Sequence, residues 1–128
     1  MNPAYEFDEL KVACNDSEKV FVWKPALTDA STHFGLTKMG DVLDFVANDG
    51  LEKKKFINSK PFELAPDPKP LVDAYEFYSD SKRGYFAFFF QPLTKKWNIK
   101  SFKLHEDGDD RFYLFANLGQ FLSKADES

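Results

Sequence analysis

The apolar positions of this chain change period along its length, from near 3.6 residues in the first fifty to near two later on. Leu10, Ala13 and Cys14 fall on one face of a short helix over Tyr5–Asn15, with Asp8 placed as its N-cap. Lys19–Trp23 is a short apolar run of β character, suited to an edge strand. Pro25 then fits the first position of a helix, where its missing N–H costs nothing. Leu27, Ala30 and Phe34 continue that helix on one stripe, and Gly35 terminates it. Thr37 caps a third helix, in which Met39, Val42, Leu43 and Val46 follow i, i+3, i+4, i+7 until Gly50 closes it. The short connection predicts that these two helices pack close together.

Lys53–Lys55 reads as a solvated helix end, and Pro61–Pro70, with four prolines, as loop or extended chain. Asp73–Tyr78 alternates as a strand, with Tyr75 and Phe77 on one face. A turn at Ser79–Gly84 leads into the aromatic hairpin Gly84–Lys103, two apolar runs joined by Pro92–Lys95. Alternation sends Phe86, Phe88 and Phe90 to one side and Tyr85, Ala87 and Phe89 to the other; Trp97 and Ile99 alternate with Asn98, Lys100 and Phe102. Both faces are partly apolar, as in a sheet centre covered by helices. An acidic turn, Glu106–Asp110, precedes a strand over Arg111–Ala116 and a helix over Asn117–Lys124. The order predicts a single α+β domain over residues 1–128. Residues 1–50 are mainly helical, 71–116 form an antiparallel sheet with the helices on one side, and 117–124 form a terminal helix.

Composition narrows the classes. Aromatic residues make up 17% of the 128, fifteen of them phenylalanine, which excludes a disordered or low-complexity chain and predicts an aromatic core. The single Cys14 cannot form an internal disulfide and fits a packing role, and no Cys/His set has zinc spacing. The N-terminus lacks signal-peptide character, and no apolar run approaches the ~20 residues of a membrane helix, so a cytoplasmic protein without membrane partners is expected. No cofactor or metal is expected. A net charge of -4 argues against a dedicated nucleic-acid binder, yet Ser81–His105 carries Lys82, Arg83, Lys95, Lys96, Lys100 and Lys103 and no acid. That local charge is the anomaly of the sequence.

Several short motifs then resemble one family. Ala26-Leu27-Thr28-Asp29-Ala30 followed by Phe34-Gly35-Leu36, then Phe56-x-x-Ser59, Asp73-Ala74-Tyr75, Gly84-Tyr85 and Ile99-Lys100-Ser101-Phe102-Lys103 are similar to the motility quorum-sensing regulator toxins. The similarity spans roughly residues 3–103. It implies a RelE-like fold, metal-independent cleavage of messenger RNA, and an antitoxin protein as partner beside RNA, in a monomer or weak homodimer. Of the family's functional positions, the tyrosine falls on Tyr85 and the last lysine on Lys103. Its other lysine falls on Asn58, with Lys60 two residues away as a substitute, and its glutamine falls on Val72. The residues after Lys103 are an extension that the family pattern does not contain.

Metal-free RNA cleavage needs a base for the 2′-hydroxyl, an acid for the leaving oxygen and cations for the crowded phosphate. Tyr85, Lys103 and Lys60 are the catalytic candidates, with Tyr85 as acid or, were its pKa lowered, as base. Lys100 and Lys96 are candidates for phosphate contact, and Trp97 for stacking an unpaired base. Each also has a plainer role: Tyr85 and Trp97 as sheet residues, the lysines as a solvated face or as edge protection. His33 and His105 lie far apart with no evident carboxylate or serine partner, and neither is assigned a role. A non-catalytic interaction domain on the same fold is the alternative function, favoured by the acidic total charge and by Asn58 and Val72. Clustering discriminates the two: a cleaving site needs Tyr85, Lys103 and Lys60 around one open surface.

Overall fold

The computed structural model describes residues 2–105. The turn at 106–110, the strand over 111–116 and the helix over 117–124 lie outside the described residues. The elements are α1 (Phe7–Ala13), β1 (Val20–Val22), α2 (Lys24–Phe34), α3 (Met39–Ala47), β2 (Glu52–Pro61), β3 (Leu71–Ser79), β4 (Lys82–Gln91) and β5 (Lys96–Leu104). The strands form one sheet in the order β1-β5-β4-β3-β2, and the fold is α+β. The sheet is mixed rather than antiparallel throughout, because β1 runs parallel to β5.

All three helices press on one face. Phe7 of α1 meets Tyr75, Phe86 and Phe88; Phe34 of α2 meets Phe77 and Phe102; Phe45 of α3 meets Phe102. Phe77, Phe86, Phe88 and Phe102 are all fully buried, each removing enough apolar area to favour folding by about 2–3 kcal/mol. Met39, Val42, Leu43 and Val46 join this core, as their spacing predicts. Cys14 belongs to it too, and burial pushes its thiol up to about 12, so it is a packing residue.

Several expectations shift. The Lys53–Lys55 run is not a helix end but lies in β2, an edge strand that the sequence pattern hid. Two register shifts against β3 break its alternation, and its mostly exposed lysines block further pairing. Phe102 faces the helices together with Trp97 and Ile99, against simple alternation. The ladder pairs Phe88 with Ile99 but Ala87 with Ser101, so Lys100 is an extra residue and every later side chain of β5 changes face. Helix α1 begins at Phe7, with Glu6 rather than Asp8 at the N-cap position and no side-chain cap hydrogen bond. Before α3 the capping residue is Lys38, whose N–H donates to Asp41, with the Thr37 hydroxyl donating to the same carboxylate. Gly35 does adopt the left-handed conformation that ends α2. At the end of α3 that conformation falls on Asp49, and Gly50 N–H donates to the Phe45 carbonyl. Helix α2 lies chiefly along β5 and touches α3 only briefly.

Asp73 ties the N-terminus to the sheet. Its fully buried carboxylate accepts from the backbone N–H groups of Ala4 and Tyr5, both at 3.0 Å, while the Tyr5 hydroxyl donates to Leu71 O at 2.6 Å. Asp73→Ala leaves two donors unpaired, and hydrogen bonds to a charged group are the stronger kind. It is expected to lower unfolding free energy by about 3 kcal/mol, read from the urea midpoint, with faster hydrogen exchange at Ala4 and Tyr5.

Candidate functional site

The second face of the sheet carries the candidate residues Tyr85 and Lys103. No helix of the described residues packs on it. Cross-strand partners point to the same side of a sheet, so the register itself aligns Lys55, Glu76, Tyr85 and Lys103 in one row across four strands. Beside it runs a row of Asn58, Ala74, Ala87 and Ser101. The change of face at Lys100 is what brings Lys103 opposite Tyr85. Without it, Lys103 would point into the helices.

Within the first row the side chains close on one another. Lys103 Nζ lies 5.3 Å from the centre of the Tyr85 ring, and the His105 ring stacks on that ring at 5.8 Å and 28°. Arg83 Nη2 donates to Glu76 Oε2 at 2.9 Å, and His105 Nε2 lies 3.4 Å from the same oxygen. The His105 N–H donates to Arg83 O at 3.0 Å, which prolongs the β4–β5 pairing and fixes where the imidazole stands. The side chains of Glu76 and His105 are only 14% and 9% exposed.

The surroundings set the protonation states. The hydrogen bond from Arg83 holds the Glu76 carboxyl below its ordinary value; desolvation opposes this, and the charges of Arg83, His105 and Lys55 reinforce it. Glu76 is therefore an anion at neutral pH. A depressed carboxyl stabilises the fold above the unfolded glutamate value of ~4.3 and loses that contribution as pH falls through the folded value. Stability is thus expected to drop on acidification below about pH 4, and Arg83→Gln is expected to flatten that limb in urea titrations taken at several pH values.

Burial pushes the Tyr85 phenol above its ordinary range. It stays protonated at neutral pH and can donate, but the role of base is closed to it. Trp97 is 9% exposed, with its ring in the core against Tyr5, Phe88 and Phe90, so it is not a stacking platform. Lys60 lies on the same face, opposite Val72, but two strands over and four residues along from Tyr85, roughly 17 Å by sheet spacing. It does not join the cluster. Lys96 sits exposed at the start of β5, and Lys100 Nζ lies 5.4 Å from the Phe62 ring centre.

His105 is what the sequence reading missed. Its partners are a glutamate on β3 and a tyrosine on β4, twenty to thirty positions back in the chain, and only the strand register reveals them. His33 lines a cleft of about 190 Å³ with Asp29, Lys103 and Leu104, on the flank of the same cluster. Among the described residues no three His, Cys, Asp or Glu side chains converge as metal ligands would, and no helix is long and apolar enough to cross a membrane. Comparison with protein-family models, curated proteins and solved structures finds no match.

Proposed function

We propose that this chain is a toxin-like, RNA-binding domain that cleaves single-stranded messenger RNA without a metal, using the face of the sheet opposite the helices. The observation that carries this reading is the cluster of Glu76, Arg83, Tyr85, Lys103 and His105. It combines the three things that 2′-hydroxyl attack on a phosphodiester requires. Histidine is the side chain that exchanges protons near neutral pH, and Glu76 orients His105 for removal of the 2′-hydroxyl proton. The protonated phenol of Tyr85 donates to the leaving 5′-oxygen. Lys103, from above the Tyr85 ring, neutralises charge that builds on the phosphate. Arg83 acts through Glu76 as a positioning residue.

The resemblance to the motility quorum-sensing regulator toxins points the same way. The positions of Asn58, Val72, Tyr85 and Lys103, where that family carries its functional residues, all fall on this face. Asn58 and Val72 remove two of the family's groups, and the Glu76–His105 pair supplies acid–base capacity in their place. The partners that follow are RNA and an antitoxin protein, and the location that follows is the cytoplasm. The second reading, a non-catalytic interaction domain, draws on the Arg83–Glu76 pair, which neutralises part of the cluster's charge.

Induced expression tests the reading. Growth arrest with loss of messenger RNA is expected from the wild type, and relief is expected from Lys103→Ala and His105→Ala provided both variants stay soluble and folded. Normal growth with intact messenger, from a folded wild-type chain, would favour the interaction domain.

A further inference from the structure

At the opposite end of the same face, β1 and the Phe62–Pro70 loop assemble a second group of aromatics. Trp23 meets Phe62 at 5.5 Å and Phe89 at 6.1 Å, Phe62 meets Phe89 at 5.5 Å, and Trp23 Nε1 donates to Asn98 Oδ1 at 3.0 Å. These contacts explain why Trp23, Phe62 and Phe89 are there: they close a small satellite core under the loop. They do not explain Phe21. In β1 the side chains of Val20 and Val22 go to the core, whereas Phe21, opposite Asn98, turns to the second face and is 51% exposed. This half-exposed phenylalanine is paired with Asn98 and stands two residues before Trp23, whose partner Phe62 carries the Lys100 ammonium over its ring.

We infer that Phe21 and the adjoining rim of Trp23 form a base-stacking subsite for single-stranded RNA, with Lys100 contacting the phosphate beside it. The inference rests on the RNA reading of the face and adds where the strand runs. Every base has a π-face, so an exposed ring binds unpaired bases with little sequence preference. Lys100, two residues beyond the Asn98 partner of Phe21, brings a cation to the same region. Charge complementarity selects this occupant: Ser81–His105, which supplies Lys96, Lys100 and Lys103 to the face, has no acid among its residues. Phe21 lies two strands over and four residues along from Tyr85, so the subsite and the cluster are about 17 Å apart, or about five stacked nucleotides. One strand can occupy both at once. A dinucleotide cannot.

Fluorescence anisotropy with a labelled, 2′-O-methylated oligonucleotide of roughly eight nucleotides tests this, because the modification blocks cleavage and isolates binding. Phe21→Ala and Phe21→Leu are each expected to weaken binding about tenfold, equally at all salt concentrations. Lys100→Ala is expected to lower the salt slope by about one. With a dinucleotide, the Phe21 variants are expected to bind as the wild type does. Phe21 is exposed enough that neither substitution disturbs the core. Wild-type binding that Lys103→Ala weakens and Phe21→Ala leaves unchanged would overturn the subsite while preserving the RNA reading. Retention of full affinity by Phe21→Leu would show apolar contact rather than stacking and would also overturn it. Failure of the wild type to bind overturns both, and a protein partner then becomes the occupant to seek.

Discussion

His105→Ala is expected to slow RNA cleavage by roughly 10²- to 10⁴-fold, the usual cost of removing a positioned general base. Binding of uncleavable RNA should barely change, since the imidazole is 9% exposed on its side-chain surface and cannot contribute much contact area. Glu76→Gln should slow cleavage less, because the amide keeps a hydrogen-bond acceptor for Arg83 but loses the charge beside His105. Tyr85→Phe removes the phenolic proton while keeping the ring that His105 stacks on. Its loss should therefore fall on the rate of the chemical step and not on affinity. Single-turnover cleavage alongside anisotropy separates the two. A His105→Ala variant that cleaves at the wild-type rate would remove the imidazole from the mechanism.

Gly84→Ala should be among the most destabilising small substitutions in the chain, lowering unfolding free energy by about 3 kcal/mol. Gly84 lies opposite Phe77 on the helix face, and a Cβ there would stand 2.2 Å from Phe77 Cζ and 2.4 Å from its Cε1. The ring cannot swing aside. It is fully buried and wedged against Phe34 and Phe102 at ring-centre distances of 5.5 and 5.4 Å. Since Gly84 precedes Tyr85, the clash should also move the row that Tyr85 shares with Glu76 and Lys103. In a double-mutant cycle, Phe77→Leu should recover at least about 1 kcal/mol of the loss, because the two changes share one space. Strict additivity in urea unfolding would mean that the ring is not what excludes a side chain at this position.

The α+β class, the helical stripes and the aromatic hairpin were legible from periodicity, because each is a local pattern that tertiary packing reinforces. What hid the rest was departure from period. In β2 two register shifts and a run of lysines look like a charged helix end, although edge strands are where such residues belong. In β5 the extra residue at Lys100 reverses the face of Phe102 and Lys103, so alternation read from Trp97 onwards misplaces both. The parallel placement of β1 beside β5 could not be read locally either, since it depends on a crossover through the whole intervening domain. The candidate site was half legible for the same reason. Tyr85 and Lys103 stand in short motifs that draw notice in the sequence, whereas Glu76, Arg83 and His105 meet only through three paired strands.

The most direct measurement is cleavage of single-stranded RNA by the purified chain in the presence of a metal chelator, beside the same oligonucleotide made with 2′-deoxyribose. The expected result is scission of the RNA alone, leaving a cyclic 2′,3′-phosphate end, with the activity absent from His105→Ala and Lys103→Ala. Intact RNA after incubation with the folded wild type, or cleavage of the deoxy strand as well, would contradict a metal-independent, 2′-hydroxyl-driven site on this face.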